Sequence, residues 1–114
     1  MSTGDGASLP HSGSSYLSAS ADWQPSELPG FWIRNLLVDP AASATTMLMK
    51  IDPGAFAGLH SHTELEQVYV LEGSFYDEER VLQAGDYCCR AAGAPHTSGS
   101  KDGAIVLLVY SKQA

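Results

Sequence analysis

The stretch HSHTELEQVYVLEG, from His60 to Gly73, sets two histidines one residue apart and follows them with Glu64 and Glu66, in a chain that holds only 4 histidines. In an extended strand, residues i and i+2 point to the same face, so His60 and His62 project together while Leu59 and Ser61 take the other side. If the next strand, EQVYVLE, pairs back across the short Thr63–Leu65 connection, Glu66 comes alongside the two rings. Two imidazoles and a carboxylate aimed at one volume make most of a metal site. A fourth ligand has to come from elsewhere, and His96 is the one remaining histidine outside the N-terminal stretch that contains His11. Three imidazoles and a carboxylate suit one divalent transition ion of the first row: Fe, Ni, Co, Mn or Zn. Taken alone, HSH fits a solvated strand face as well as a ligand pair. Glu64 competes with Glu66 for the carboxylate role and is read as a solvated or supporting group.

These residues need strands to hold them, and the chain supplies a strand rhythm. FWIRNLLVD stops at Pro40, and TTMLMKI stops at Asp52-Pro53-Gly54, a turn with proline preset and glycine free to take positive φ. AFAGLHSH, EQVYVLE, SFYD, RVLQ, YCCR, HTSGS and AIVLLVY follow, separated by Gly73, the acidic Asp77–Glu79 turn, Ala84–Asp86, Gly93–Pro95 and Lys101–Gly103. Nine candidate strands with no amphipathic helix predict an all-β sandwich or barrel. Tyr69, Tyr76, Met47 and Met49 read as packing residues ahead of pocket residues.

Length and composition bound the rest. A chain of 114 residues is one domain. Residues 1–20, rich in Ser and Gly, cannot bury enough apolar surface to offset their ordering entropy and read as a flexible tail, leaving 21–114 as the domain. Trp23, Phe31 and Trp32 lie on an extended, proline-punctuated arm whose apolar surface suggests a homodimer. The net charge of −7 disfavours nucleic acid and anionic membranes, where binding needs Lys and Arg against phosphate. No run approaches the ~20 apolar residues of a membrane helix, and the N-terminus lacks the basic and apolar regions of a secretory signal. Cys88 and Cys89 are adjacent, with Cα atoms ~3.8 Å apart against the ~4.4–6.8 Å usual in a disulfide. They read as two reduced thiols in a cytoplasmic protein.

With these residues in view, the chain resembles the cupin superfamily. Gly54, His60, His62, Glu66 and Gly73 match its first motif, G-x5-H-x-H-x3,4-E-x6-G, without a gap. Gly85, Gly93 and His96 match the second, while Ala91 and Ser100 stand where the motif has proline and asparagine. The resemblance covers roughly Phe31 to Tyr110. It implies a single-domain jelly-roll β-barrel with a metal held by His60, His62, Glu66 and His96, the last expected to reach the site across the barrel after the Gly93–Pro95 turn. Within the superfamily the texture is similar to the cupin domain of ChrR-type anti-sigma factors and to small dioxygenases that cleave diketones and hydroxyacetophenones. The resemblance therefore implies either a metal-dependent dioxygenase acting on a small carbonyl compound, or a non-catalytic metal- or ligand-sensing domain. ChrR-type proteins carry a separate N-terminal zinc domain. The cysteine-free N-terminus here is expected not to supply one, so the cupin module alone is expected to carry over.

Overall fold

The computed structural model describes residues 7–114. Its elements are β1 (Gln24–Pro25), β2 (Phe31–Asp39), a one-turn 3-10 helix (Pro40–Ala42), β3 (Ala44–Ile51), β4 (Phe56–His60), β5 (Leu65–Tyr76), β6 (Val81–Gln83), β7 (Tyr87–Arg90), β8 (His96–Gly99) and β9 (Ala104–Ser111). Among the described residues there is no α-helix, and no helix is long and apolar enough to cross a membrane. The nine strands form one curled sheet in the order β1-β2-β3-β9-β5-β8-β4, with β6 and β7 also paired to β5. The expected all-β, single-domain jelly-roll barrel is what the chain forms.

Period-two patterning decides which side chains enter the barrel. Glu66, Val68 and Val70 of β5 are buried, as are Ala104, Val106 and Leu108 of β9, while Tyr69 and Leu71 face out. Phe31, Ile51 and Phe75 complete the centre of the core. Phe31, expected on a partner-seeking arm, is thus buried in its own domain. β1 folds the arm back against β2, and Trp23 and Trp32 pack on the cationic heads of Arg34 and Lys50.

Four local expectations are corrected. EQVYVLE and SFYD are one twelve-residue strand, β5, and Gly73 bends it instead of ending it. Gly73 has φ +73, and a Cβ there would lie 2.0 Å from the Gly103 carbonyl oxygen, so only glycine allows this close crossing. β4 stops at His60, its last residue paired with β8, leaving His62 in the connection; the ladder is irregular between Ala57 and His60. β5 pairs with β6, β7, β8 and β9 and not with β4, so no hairpin across Thr63–Leu65 places Glu66. Finally, β8 is the direct neighbour of β4, with Cα partners His60 and His96, so His96 does not reach across the barrel.

At Gly54 the Asp-Pro-Gly turn has the expected positive φ of 83°. Ser100, standing where the second motif has asparagine, is fully buried. Its hydroxyl donates to the Ser74 carbonyl (2.6 Å) and accepts from the Gly103 N–H (2.8 Å), tying β5 to the turn before β9.

Candidate metal centre

β4 and β8 are antiparallel, and directly opposed residues in such a pair share a face. His60 and His96 therefore meet, with ring centroids 4.3 Å apart. His62 arrives from beyond the end of β4, on a backbone held by the Gly93 N–H donating to the His62 carbonyl (2.7 Å). Its ring centroid lies 5.1 Å from that of His60 and 5.5 Å from that of His96. One ring nitrogen from each histidine falls within 4.8 Å of the others.

The tautomers follow from the backbone. The Nδ1 of His60 lies 2.6 Å from the Gly58 carbonyl and that of His96 lies 3.0 Å from the Thr97 carbonyl. A carbonyl only accepts, so in each ring Nδ1 carries the proton and Nε2 presents a lone pair. This is how a metal-ligating imidazole is usually oriented. The Nε2 of His96 is buried and has no hydrogen-bond partner, an unmet acceptor that a cation would satisfy. Burial, together with Arg90 and His60, pulls the His96 pKa below its ordinary value despite the Thr97 contact and Glu66, which favours the neutral ring that binds metals. The three histidines fit a divalent ion.

Glu66, 4% exposed, sits beside them. Its Oε2 is 3.4 Å from His62 Nε2 and its Oε1 is 3.5 Å from His96 Nε2. The sheet register explains its orientation. Glu66 is opposed by Arg90 on β7 and by Tyr110 on β9, so three side chains from adjacent strands form one row inside the barrel. Arg90 Nε donates to Oε1 (3.1 Å) and the Tyr110 hydroxyl donates to Oε2 (2.5 Å). A carboxylate offers about four acceptor sites, so these two bonds still leave lone pairs for a cation. Arg90 also donates from Nη1 to Asp77 Oδ2 (2.8 Å). Burial opposes ionisation of Asp77, but the Arg90 bond and the N–H groups of Glu79 and Arg80 outweigh it and hold its carboxyl below the ordinary value. Burial, then the nearby Glu66 charge, pushes the Tyr110 hydroxyl well above the usual tyrosine range, so it stays a donor.

Of the residues singled out from sequence, His60, His62, Glu66 and His96 converge. Glu64 does not join them. It lines a recess of about 290 Å³ outside His62 and Tyr110, shared with Asp39. Arg90 and Tyr110 went unnoticed in the sequence, since no local pattern announces a cross-strand row. Met49, read there as packing, also lines an apolar cavity of about 110 Å³ that the three histidines and Glu66 share with Phe31, Phe75, Val106 and Leu108. A larger recess of about 680 Å³ lies between the acidic turn and β7, but no histidine reaches it. Cys88 and Cys89 are free thiols; Cys88 is half-buried, and burial raises its pKa, as in a packing residue.

A curled β-barrel whose inner wall gathers three histidines and a carboxylate from a first and a second motif is a cupin. The chain belongs to the ChrR cupin-like domain family, whose profile matches residues 14–114. Among solved structures it is similar to a cupin-like protein from Ralstonia eutropha JMP134, with 27% identity, TM-score 0.66, and coverage of 72% of this chain and 55% of that one. It is also similar to a chain in the complex of Rhodobacter sphaeroides SigE with the anti-sigma ChrR, with 25% identity, TM-score 0.71, and coverage of 82% of this chain and 51% of that one. The chain thus spans about half the length of both. An acetylacetone dioxygenase from Acinetobacter johnsonii, 16% identical, shares the fold at TM-score 0.76 over 90% of this chain and 77% of its own. No curated protein matches the sequence.

Proposed function

We propose that the protein is a mononuclear metal-binding cupin in which His60, His62, Glu66 and His96 hold one divalent transition ion (Fe, Ni, Co, Mn or Zn), and that it works as a dioxygenase on a small diketone-like carbonyl compound. The observation that carries this reading is the unbonded, buried Nε2 of His96, facing His60 and His62 on the wall of an apolar cavity. When bound, the ion supplies Lewis acidity toward a substrate oxygen and, if iron, a redox centre for O2 chemistry.

The chain's own residues do the rest. The Gly58 and Thr97 carbonyls keep the imidazoles of His60 and His96 turned with Nε2 inward. Arg90 and Tyr110 hold Glu66 in one orientation and partly neutralise it. The cavity, about 110 Å³, suits only a small molecule, far below the ~300–1,000 Å³ of drug-sized pockets. Its Phe, Val and Leu walls exclude water and favour an uncharged substrate over a free carboxylate. Arg90, the cation beside Glu66, is already engaged by Glu66 and Asp77. In the same reading the protein is cytoplasmic, with Cys88 and Cys89 reduced.

Family membership and the likeness to the ChrR complex favour a second reading, a metal- or ligand-sensing domain without turnover. One experiment separates the two. Anaerobically purified protein is analysed for metal, then assayed for O2 uptake with a panel of β-diketones. Uptake that disappears in His96→Ala supports the dioxygenase. One bound ion per chain with no uptake on any diketone rejects it and leaves the sensor. Protein that binds no divalent ion rejects the dioxygenase and the metal sensor alike and leaves only a metal-free ligand sensor.

A further inference from the structure

The inner cavity has one soft wall. Phe31, Phe75, Val106 and Leu108 are all buried in the core, locked by their neighbours. Leu28 and Met49 are different. Both line the inner cavity, and both also line an outer apolar groove of about 480 Å³ formed with Pro25–Glu27 and Ile33. A single layer of two side chains thus separates the two spaces. Leu28 is 44% exposed while touching the interior, as a stopper would be. Met49 is unbranched and adapts its shape readily.

The backbone under Leu28 is fixed. The Leu28 N–H donates to Ser26 Oγ (3.1 Å), whose hydroxyl donates back to the Leu28 carbonyl (3.0 Å). The Phe31 N–H also donates to that carbonyl (3.2 Å), closing the loop between β1 and β2. Gly30 presses against Ala55, where an added Cβ would sit 2.6 Å from the Ala55 Cβ. The side chain can therefore be shortened without releasing the loop that carries it.

We propose that Leu28 and Met49 set the length of the apolar substituent the site accepts. The substrate's oxygen-bearing head lies at the histidine end and its alkyl end stops against these two residues. Shortening Leu28 joins the cavity to the groove and admits longer chains. The assignment of the head group rests on the reading of the site as one for a small carbonyl compound; the length limit does not.

The test has two arms. In the first, metal-free wild type, Leu28→Ala, Met49→Ala and Leu28→Phe are titrated with toluene and with n-butylbenzene, and binding is read from the ligand-induced shift in thermal unfolding. Each extra buried methylene is worth about fourfold in affinity. Leu28→Ala and Met49→Ala are therefore expected to gain up to about 60-fold for butylbenzene relative to toluene, while wild type and Leu28→Phe prefer toluene. Unchanged preference in both alanine variants, each unfolding cooperatively, overturns the proposal. In the second arm, Ni-loaded wild type and Leu28→Ala are titrated with 2,4-pentanedione and 2,4-nonanedione. A switch toward nonanedione in Leu28→Ala supports the full proposal. If the alkylbenzenes switch and neither diketone binds, the length limit stands and the diketone reading fails.

Discussion

Arg90→Met tests whether the row that aims Glu66 is also a structural joint. The substitution keeps most of the side chain's apolar bulk and deletes its charge. Two charge-assisted bonds disappear, one to Glu66 Oε1 at 3.1 Å and one to Asp77 Oδ2 at 2.8 Å. Both carboxylates are buried, with side chains 5% and 8% exposed. Glu66 retains the Tyr110 hydroxyl, and Asp77 retains the N–H groups of Glu79 and Arg80. Each lost bond is worth ~1.5–3 kcal/mol, and breaking a buried pair from one side costs ~3–5 kcal/mol in all. The unpartnered Arg90 Nη2 no longer has to be buried, which offsets part of this. The expected net loss in metal-free protein is about 3 kcal/mol, or about 10–15 °C in Tm for a domain of this size. The assay is thermal and urea unfolding in the presence of chelator at about pH 7.5, repeated at about pH 4, where protonation of Asp77, no longer held low by Arg90, should narrow the gap. A variant within about 1 kcal/mol of wild type at the higher pH would refute the reasoning, because two buried carboxylates cannot lose the cation they share so cheaply.

His60→Ala, His62→Ala and His96→Ala should each lose most of the bound metal by elemental analysis, whereas Glu64→Ala should stay within the ~10–100-fold affinity change of a supporting group. The metal-free protein should lose stability as pH falls. His96, whose folded pKa lies below 6.5, takes up its proton more readily when unfolded, so the decline begins near that value, and Asp77 adds a second below 3.8; urea midpoints across pH check this. Gly73→Ala should cost at least about 2 kcal/mol in thermal unfolding, from the left-handed backbone and the approach of the Gly103 carbonyl. Exposed Tyr69, Leu71 and Tyr87 on the outer face should pair two chains, and sedimentation at micromolar concentration should give a dimer; a monomer alone would reject it.

Residue alternation made most of the strands legible. Pro40 marked the end of β2, and the Asp-Pro-Gly turn marked the end of β3, because those breaks are local chemistry. The clustering of His60, His62 and His96 was legible through type and spacing, yet part of the geometric argument for it was wrong. His62 lies off the strand, and His96 comes from the adjacent strand. Gly73 misled because a glycine that ends a strand and one that lets two backbones cross look alike in sequence. Arg90 and Tyr110 were invisible for a deeper reason. Their roles depend on register between segments that are 24 and 44 residues from Glu66, and register follows from the packing of the whole barrel.

That row also fixes when in folding the site can exist. Glu66 acquires its orientation only after β7 and β9 have docked on either side of β5, and closing such long loops is slow relative to local turns. Before then the carboxylate swings freely and the three histidines lack their charged neighbour. Metal should accordingly engage late, after the rate-limiting step. An ion that binds so late leaves the folding rate almost unchanged and slows unfolding instead, so a loaded chain would be long-lived through a raised barrier to opening.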